Sequence, residues 1–516
     1  MSVGLACGGG AADEGESSGS EDETTAETTA DESATSAETG ETGGESLFDG
    51  ELEVKTYGEQ PMVADVTVHL RAGAELAELA LAHPLDPGVK ISPLAAESSE
   101  LTRVYRMRGL APATVHGVEV DASLDGEADT LMATFTAPAP LPGFPGSFEV
   151  TVSGEPETAY RLMDWSNFGG PDAEPVGLMQ LDSEGVVRWY MGVAETPIPG
   201  PAATMAGVQY LDDGTVLFQQ NGSNFIIDEF GSVVAQFDPE KAGHLFHHDV
   251  VRLPNGNILA MGFSFQDVDY GGSEGVLHVA GDSLTEFAPD GEVVWRWDTF
   301  DHMDPQRRRE GFDTVFPPIY DPDTGELCKD WTHGNGLHYI AEDDSILMSF
   351  RHQDWVIKID HSTGDIVWRF GEEGDFTLGD GTWFYHQHSP QLQSDGSILL
   401  YDNANDNPNL PEADWQSRAV RYEIDETNKT ATQVWEDDEA AFMSEAMGDA
   451  DRMPGGHILV TDSAIGLNIS GDMIHARVRE LDPEASPQKV WEFTTVMGRF
   501  IYRAVPTNRL VGETGE

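Results

Sequence analysis

The sequence predicts an all-β protein, a six-bladed β-propeller preceded by a small β-sandwich, and three observations carry that expectation. Two short strand patterns alternate six times each between about Phe148 and the C-terminus. Ahead of them, shorter segments alternate apolar and polar residues with the period of two that a half-buried strand requires. Gly and Pro, 55 and 29 of the 516 residues, punctuate the chain densely. The longest apolar runs therefore reach only about half of the roughly 20 residues of a membrane-spanning helix, which excludes a polytopic helical membrane protein.

Residues 1–45 read as a truncated lipoprotein-like signal followed by a disordered acidic tether. Leu5-Ala6-Cys7-Gly8-Gly9 resembles the end of a bacterial lipoprotein signal, with only six residues ahead of the cysteine and Gly4 where an aliphatic residue is usual. Cys7 is thus a candidate lipid anchor, the alternative being an accidental cysteine. From Gly8 to Gly44 there is no Lys, Arg or aromatic residue, so nothing there buries enough surface to offset chain entropy. Such a segment serves as a spacer from a membrane surface or as a solubilising tail. The location it implies is the cell envelope, periplasmic or anchored to the outer membrane.

Residues 46–140 are expected to form the sandwich. Met62–Val68, Thr102–Met107 and Val115–Val120 alternate with period two between Gly and Pro, and Leu110–Val115 resembles a turn of the fibronectin type III domain. The Pro-rich stretch Ala137–Gly143 reads as a stiff boundary.

Residues 148–516 carry the two patterns. The first is an acid-and-Gly turn leading into a β-branched strand with a large aromatic, beginning after Leu181, Ile227, Phe287, Ile359, Ile424 and Leu481, 46 to 72 residues apart. The second is a tight turn followed by an aliphatic strand, marked by Val216, Ile258, Ile346, Ile398, Ile458 and Leu510. That spacing suits a four-stranded blade with insertions. A pair of β-sandwiches is the rival arrangement, and strict alternation favours the propeller. Because the first pattern comes first and the second last, the terminal blade should take strands from both ends of the region, protecting the edges of an open sheet.

With 28 Lys and Arg against 92 Asp and Glu, the formal charge is −64, which excludes a nucleic-acid partner because the phosphate backbone would be repelled. Two cysteines, Cys7 and Cys328, are too few for a disulfide framework or a cysteine-based metal cluster. The chain has no phosphate-cradling Gly loop and no complete metal-ligand set, so neither cofactor nor metal is expected.

The strand register gathers the chemistry. His248 and His388 each lie ten residues before the mark of their repeat, while Asn335 and His333 lie eleven and thirteen before Ile346. Equivalent positions in successive repeats face one central funnel. A hairpin returns to the end from which it started, so Arg351, five residues after Ile346, should come back to the face of His333 and Asn335, with Asn221 and Asn403 nearby. Any one of these has a bland explanation as a buried polar residue bonded to the backbone. Their shared register argues for a common mouth. The words HLFHHD (His244 to Asp249) and HQH (His386 to His388) offer a metal-binding alternative, since alternate strand residues point the same way and imidazole suits zinc, copper or iron.

Three longer stretches, FHHDVVRLPNGNIL, DWTHGNGLHYIAEDDSILMSFRHQDWVIKID and HQHSPQLQSDGSILLYDN, resemble those of bacterial arylsulfate sulfotransferases, which work without a nucleotide sulfate donor. The resemblance spans about Phe148 to Pro506 and implies a six-bladed propeller behind a small β-sandwich. It implies that His388 is transiently sulfurylated, that His333, Asn335, Arg351 and His248 surround the sulfuryl group, and that an aryl sulfate donor and a phenolic acceptor react in turn. His386 is disfavoured as the nucleophile because its offset of twelve does not match that of His248. A neutral imidazole attacking sulfur, with cationic and amide donors around three oxygens that gain charge, is physically coherent. The chain departs from the family in having only Cys328 in its body, so no disulfide is expected there, and in its acidic tether. The insertions Thr299–Trp331, Glu372–Tyr385 and Asn403–Arg418 are candidate lids or plain solvated loops. The alternatives are a metal-dependent propeller lyase or hydrolase, or a propeller that only binds.

Overall fold

A computed structural model describes residues 38–39, 46–167, 176–192, 205–309, 312, 318–467 and 474–515. Expectations for Cys7 and for the acidic segment fall outside these residues, except that Glu38–Thr39 is a short strand paired with the strand Glu127–Thr136. The described structure is almost entirely antiparallel β, and none of its helices is long and apolar enough to cross a membrane. It divides into two units, residues 1–139 and 140–516, within the Pro-rich stretch.

Among the described residues the first unit has two four-stranded sheets. One orders Glu53–Thr56, Val63–His69, Thr102–Arg108 and Lys90–Pro93; the other orders Glu38–Thr39, Glu127–Thr136, Val115–Leu124 and Glu78–Ala82. Period two explains their packing, because Val66, Val68 and Met107 of one sheet share a core with Val118, Val120, Leu131 and Phe135 of the other.

Among the described residues the second unit contains six sheets, each built on four antiparallel strands. In five of them the second pattern opens the second strand: Val216–Gln220, Ile258–Asp269, Ser345–Phe350, Ser397–Asp402 and Ile458–Ile465. The first pattern supplies the fourth strand. Its repetition has a physical cause: the Nε1 of Trp189 donates to the carbonyl of Glu229, that of Trp297 to Gly364 and that of Trp491 to Ser183, all at 2.9 Å. In each case a buried indole of one sheet seals against the acid-and-Gly turn of another, which satisfies its polar edge while burying its face.

One expectation is corrected. Leu510-Val511 is a buried turn, not a strand. The residues before it, Thr507-Asn508-Arg509, lack the turn glycine, and the place is already filled by Tyr160–Trp165, which pairs with Ala504–Thr507. Strands from both ends of the region therefore cross-pair: Ala504–Thr507 joins the sheet of Tyr160–Trp165, and Phe148–Val152 joins that of Lys489–Thr495.

The first strands of the sheets pack in sequence. Ala206–Tyr210 meets Phe246–Arg252, followed by Gly334–Ile340, His388–Leu392, Asp449–Arg452 and Ala504–Thr507, which returns to Ala206–Tyr210. At their centre the Arg503 guanidinium donates to both oxygens of Asp249 at 2.8 and 2.9 Å and to Ser389 Oγ at 3.1 Å, and it pairs with Asp449 at 3.2 Å. A buried fork with this many acceptors ties these strands together.

Candidate active site

Bulges deliver the candidate side chains. The pairing shifts register between Phe246 and Val250, between Gly334 and Gly336, and between His388 and Gln391, at matching positions in three neighbouring first strands. An extra residue in a strand re-aims its side chains. His248 and His333 hold φ of +59° and +50°, left-handed values that cost a non-glycine residue of order 1 kcal/mol or more and cluster where function over-determines the backbone. The glycines of the word HGNG serve close approach. A Cβ on Gly334 would lie 2.9 Å from the Asp282 carboxylate, and one on Gly336 would lie 2.9 Å from the backbone nitrogen of Ser389.

All five residues singled out from the sequence are brought to this place. The rings of His248 and His333 are 4.9 Å apart, and the amide of Arg351 donates to the carbonyl of His333 at 3.1 Å, as the hairpin return requires. Asn335 Nδ2 donates to the carbonyl of Gln387 at 2.8 Å, while its buried Oδ1 has no hydrogen-bond partner among the described residues. The ring of His388 feels the charges of Arg351 and His333. Asn221 holds the tight turn between Val216–Gln220 and Ser223–Ile227 at φ +50°.

His388 is buried, and its Nδ1 lies 2.6 Å from Asn403 Oδ1. Burial first, and the Arg351 guanidinium second, push its pKa well below the ordinary imidazole value, against the raising effect of its bonds to Asn403 and the His386 carbonyl. The ring is therefore neutral. His248 is depressed for the same leading reason, burial, reinforced by its imidazole neighbours, and its Nδ1 lies 2.7 Å from that of His247.

Three contributors escaped the sequence reading. Asp330 accepts from His333 Nδ1 at 2.5 Å; burial alone would raise its carboxyl, but His333 and His352 hold it well below the usual carboxylate range. His352 is pushed down to about 3, chiefly by burial; its Nδ1 donates to the carbonyl of Asp330 at 3.0 Å and its Nε2 accepts from Arg351 Nη1 at 2.7 Å, so it orients the guanidinium. Asp282 accepts from Thr332 Oγ1 and, at 2.7 Å, from the amide of Gly334. His352 stood in plain sight beside Arg351 in the word RHQD.

The two histidine words do not assemble as ligand sets. His244 faces the hydroxyls of Ser283 and Thr285, at 3.3 and 3.2 Å, His247 stacks on Phe263, and Asp249 is held by Arg503. His386 Nδ1 takes the amide of Asn405 at 2.9 Å, and its ring lies 5.7 Å from that of His352. Among the described residues, Asp330, His333 and His352 offer ligand atoms within 4.8 Å of one another, a trio the sequence reading did not propose for a metal. Cys328 is free and buried.

A cluster of buried and half-buried imidazoles, one guanidinium and directed amides defines a class of site suited to moving a small oxyanionic group. The chain belongs to the arylsulfotransferase (ASST) family, whose profile matches residues 149–503. It is 25% identical over 325 residues to the arylsulfate sulfotransferase AssT of Escherichia coli O6:H1, covering 50% of this chain and 52% of that protein. It is 23% identical over 323 residues to the AssT of Lelliottia amnigena, with the same coverages. The chain thus spans about half the length of the curated relatives it matches. The hydrazine synthase of Kuenenia stuttgartiensis aligns with a TM-score of 0.32 at 11% identity, over 56% of this chain and 66% of that one, too distant to bear on function.

Proposed function

We propose that the protein transfers a sulfuryl group from an aryl sulfate ester to a phenolic acceptor through a sulfohistidine at His388. The observation that carries this reading is a neutral, buried imidazole whose Nδ1 is held by Asn403, next to a half-buried guanidinium, in a chain of the arylsulfotransferase family. In the first half-reaction the His388 Nε2 lone pair attacks sulfur, the Nε2–S bond forms, and the S–O bond to the aryl group breaks with its electrons passing to the phenolic oxygen. In the second, the acceptor oxygen bonds to sulfur and the electron pair returns to Nε2. Arg351 and the Asn335 amide stabilise the charge that gathers on the sulfuryl oxygens. His333 is better equipped than His248 to give and retake the phenolic proton, because the Asp330 carboxylate orients it.

The architecture that fits this function is a six-bladed β-propeller over residues 148–516. The six sheets, their cross-paired ends and the cyclic packing of first strands support it. Residues 46–140, joined by the strand Glu38–Thr39, form the accompanying fibronectin-like sandwich, and the acidic residues ahead of that strand the tether. Cys7 and the acidic tether favour attachment in the cell envelope.

Purified protein given 4-nitrophenyl sulfate and a phenol, with and without a chelator, tests the reading. Transfer unaffected by chelation, with a nitrophenolate burst before any acceptor is added, is the expected result. The Asp330, His333 and His352 trio favours a second reading, metal-assisted chemistry, and transfer that is abolished by chelation and restored by a divalent cation would establish it instead.

A pH prediction follows from the depressed His388. Attack needs the neutral ring, and the folded pKa lies well below 6.5, so the burst rate should hold as pH falls through 6.5 and decline only further into acid. A decline centred at 6.5 in stopped-flow bursts would show that the attacking ring is solvated and is not His388.

A further inference from the structure

We propose that Asn403 is a positioning residue that selects the attacking nitrogen of His388 and keeps the sulfurylated ring cationic, so that the second half-reaction stays fast; the inference rests on the sulfohistidine reading above. Asn403 follows the strand Ser397–Asp402 and is fully buried. Its Nδ2 donates to the carbonyls of Ser444 and Met447 at 2.7 and 2.8 Å. Ser417 Oγ donates to the Asn403 carbonyl at 2.9 Å and accepts from the amide of Ser444 at 2.8 Å, closing the surrounding loop.

Two carbonyls can only accept, so the amide has one orientation, with nitrogen toward Ser444 and Met447 and oxygen toward His388. Oδ1 therefore requires a proton on His388 Nδ1. In a neutral ring the lone pair is then on Nε2, the nitrogen that attacks.

The same bond acts after transfer. With sulfur on Nε2 and hydrogen on Nδ1, the ring is a cation, and it leaves sulfur as neutral imidazole when the acceptor oxygen attacks. Were the Nδ1 proton lost, the ring would have to leave as imidazolate, a far poorer leaving group. An amide oxygen accepts that hydrogen bond without being basic enough to take the proton, whereas a carboxylate in its place can take it.

Asn403→Asp and Asn403→Leu separate these effects. Both remove the two hydrogens given to Ser444 and Met447, Asp setting an oxygen and Leu a methyl group against those carbonyls, but only Asp supplies a base and only Leu removes the acceptor. Each folded variant, checked by its thermal midpoint, is given 4-nitrophenyl sulfate to time the burst. Phenol is then added, and loss of label from the His388 peptide is followed by mass spectrometry.

Asn403→Asp should burst within about threefold of wild type yet release to phenol on the order of 100-fold more slowly, accumulating label. Asn403→Leu should burst on the order of 100-fold more slowly, and its label should release only about a few-fold more slowly than wild type, because the acceptor that holds the Nδ1 proton is lost but no base takes that proton. Slowing of the same half-reaction by similar factors in both variants is the signature of a packing defect and would overturn the inference, as would wild-type release in Asn403→Asp. A wild-type protein that never carries label overturns this inference together with the mechanism on which it rests; a labelled wild type with an indifferent Asn403→Asp overturns this inference alone.

Discussion

His388→Ala is expected to lose both the nitrophenolate burst and steady-state transfer, by on the order of 10⁴-fold or more, because the ring that takes the sulfuryl group is gone. His386 is turned to Asn405, and His248 shares its Nδ1 with His247. Removing the ring leaves Asn403 Oδ1 buried without its partner, a cost of about 1–3 kcal/mol that a protein of this size should survive. Thermal melting distinguishes that loss from unfolding. His248→Ala and His333→Ala should slow the steps while the label still forms on His388. Mass spectrometry of donor-treated, acid-free quenched protein decides the matter: a sulfuryl group on the peptide of His248 or His333 would reassign the nucleophile, and full activity in His388→Ala with no label would end the covalent mechanism.

The site was legible where chain periodicity carried it. His248 and His388 share an offset because each lies at a register shift near the start of its strand, ten residues ahead of its aliphatic mark, so equal spacing in sequence brought both to one site. Arg351 and Asn403 were reached through the return of a hairpin, each five residues past its mark. What lay outside the repeat was hidden. Asp330 sits on a two-residue strand that pairs in parallel with Val276–Phe287, a long-range addition with no hydrophobic period to announce it. His352 was visible but mute, since only the orientation of its ring shows that it accepts from Arg351. Leu510 misled because an aliphatic pair repeats the appearance of a strand without the turn that makes one.

Arg351→Lys should lower kcat/KM for the aryl sulfate by about 10²- to 10³-fold in a folded protein, the range for removing a preorganised donor from an oxyanion site. The guanidinium is half-buried, with Nη1 donating to His352 Nε2 at 2.7 Å and Nη2 to the carbonyl of Glu445 at 3.4 Å. That anchoring points a planar fork, and two parallel N–H bonds can follow two sulfuryl oxygens as charge gathers on them. An ammonium on a flexible stem keeps the charge but cannot hold His352 and two sulfuryl oxygens together. Charge and geometry are separable by adding Arg351→Met. Because the guanidinium helps to depress the His388 ring, losing its charge should move the acid limb of the burst to higher pH, whereas Arg351→Lys should leave that limb close to its wild-type place while still lowering the rate. Near-normal rates in a folded Arg351→Lys protein would show that the fork never meets the sulfuryl group. An acid limb unmoved in Arg351→Met would show that its charge does not reach the His388 ring.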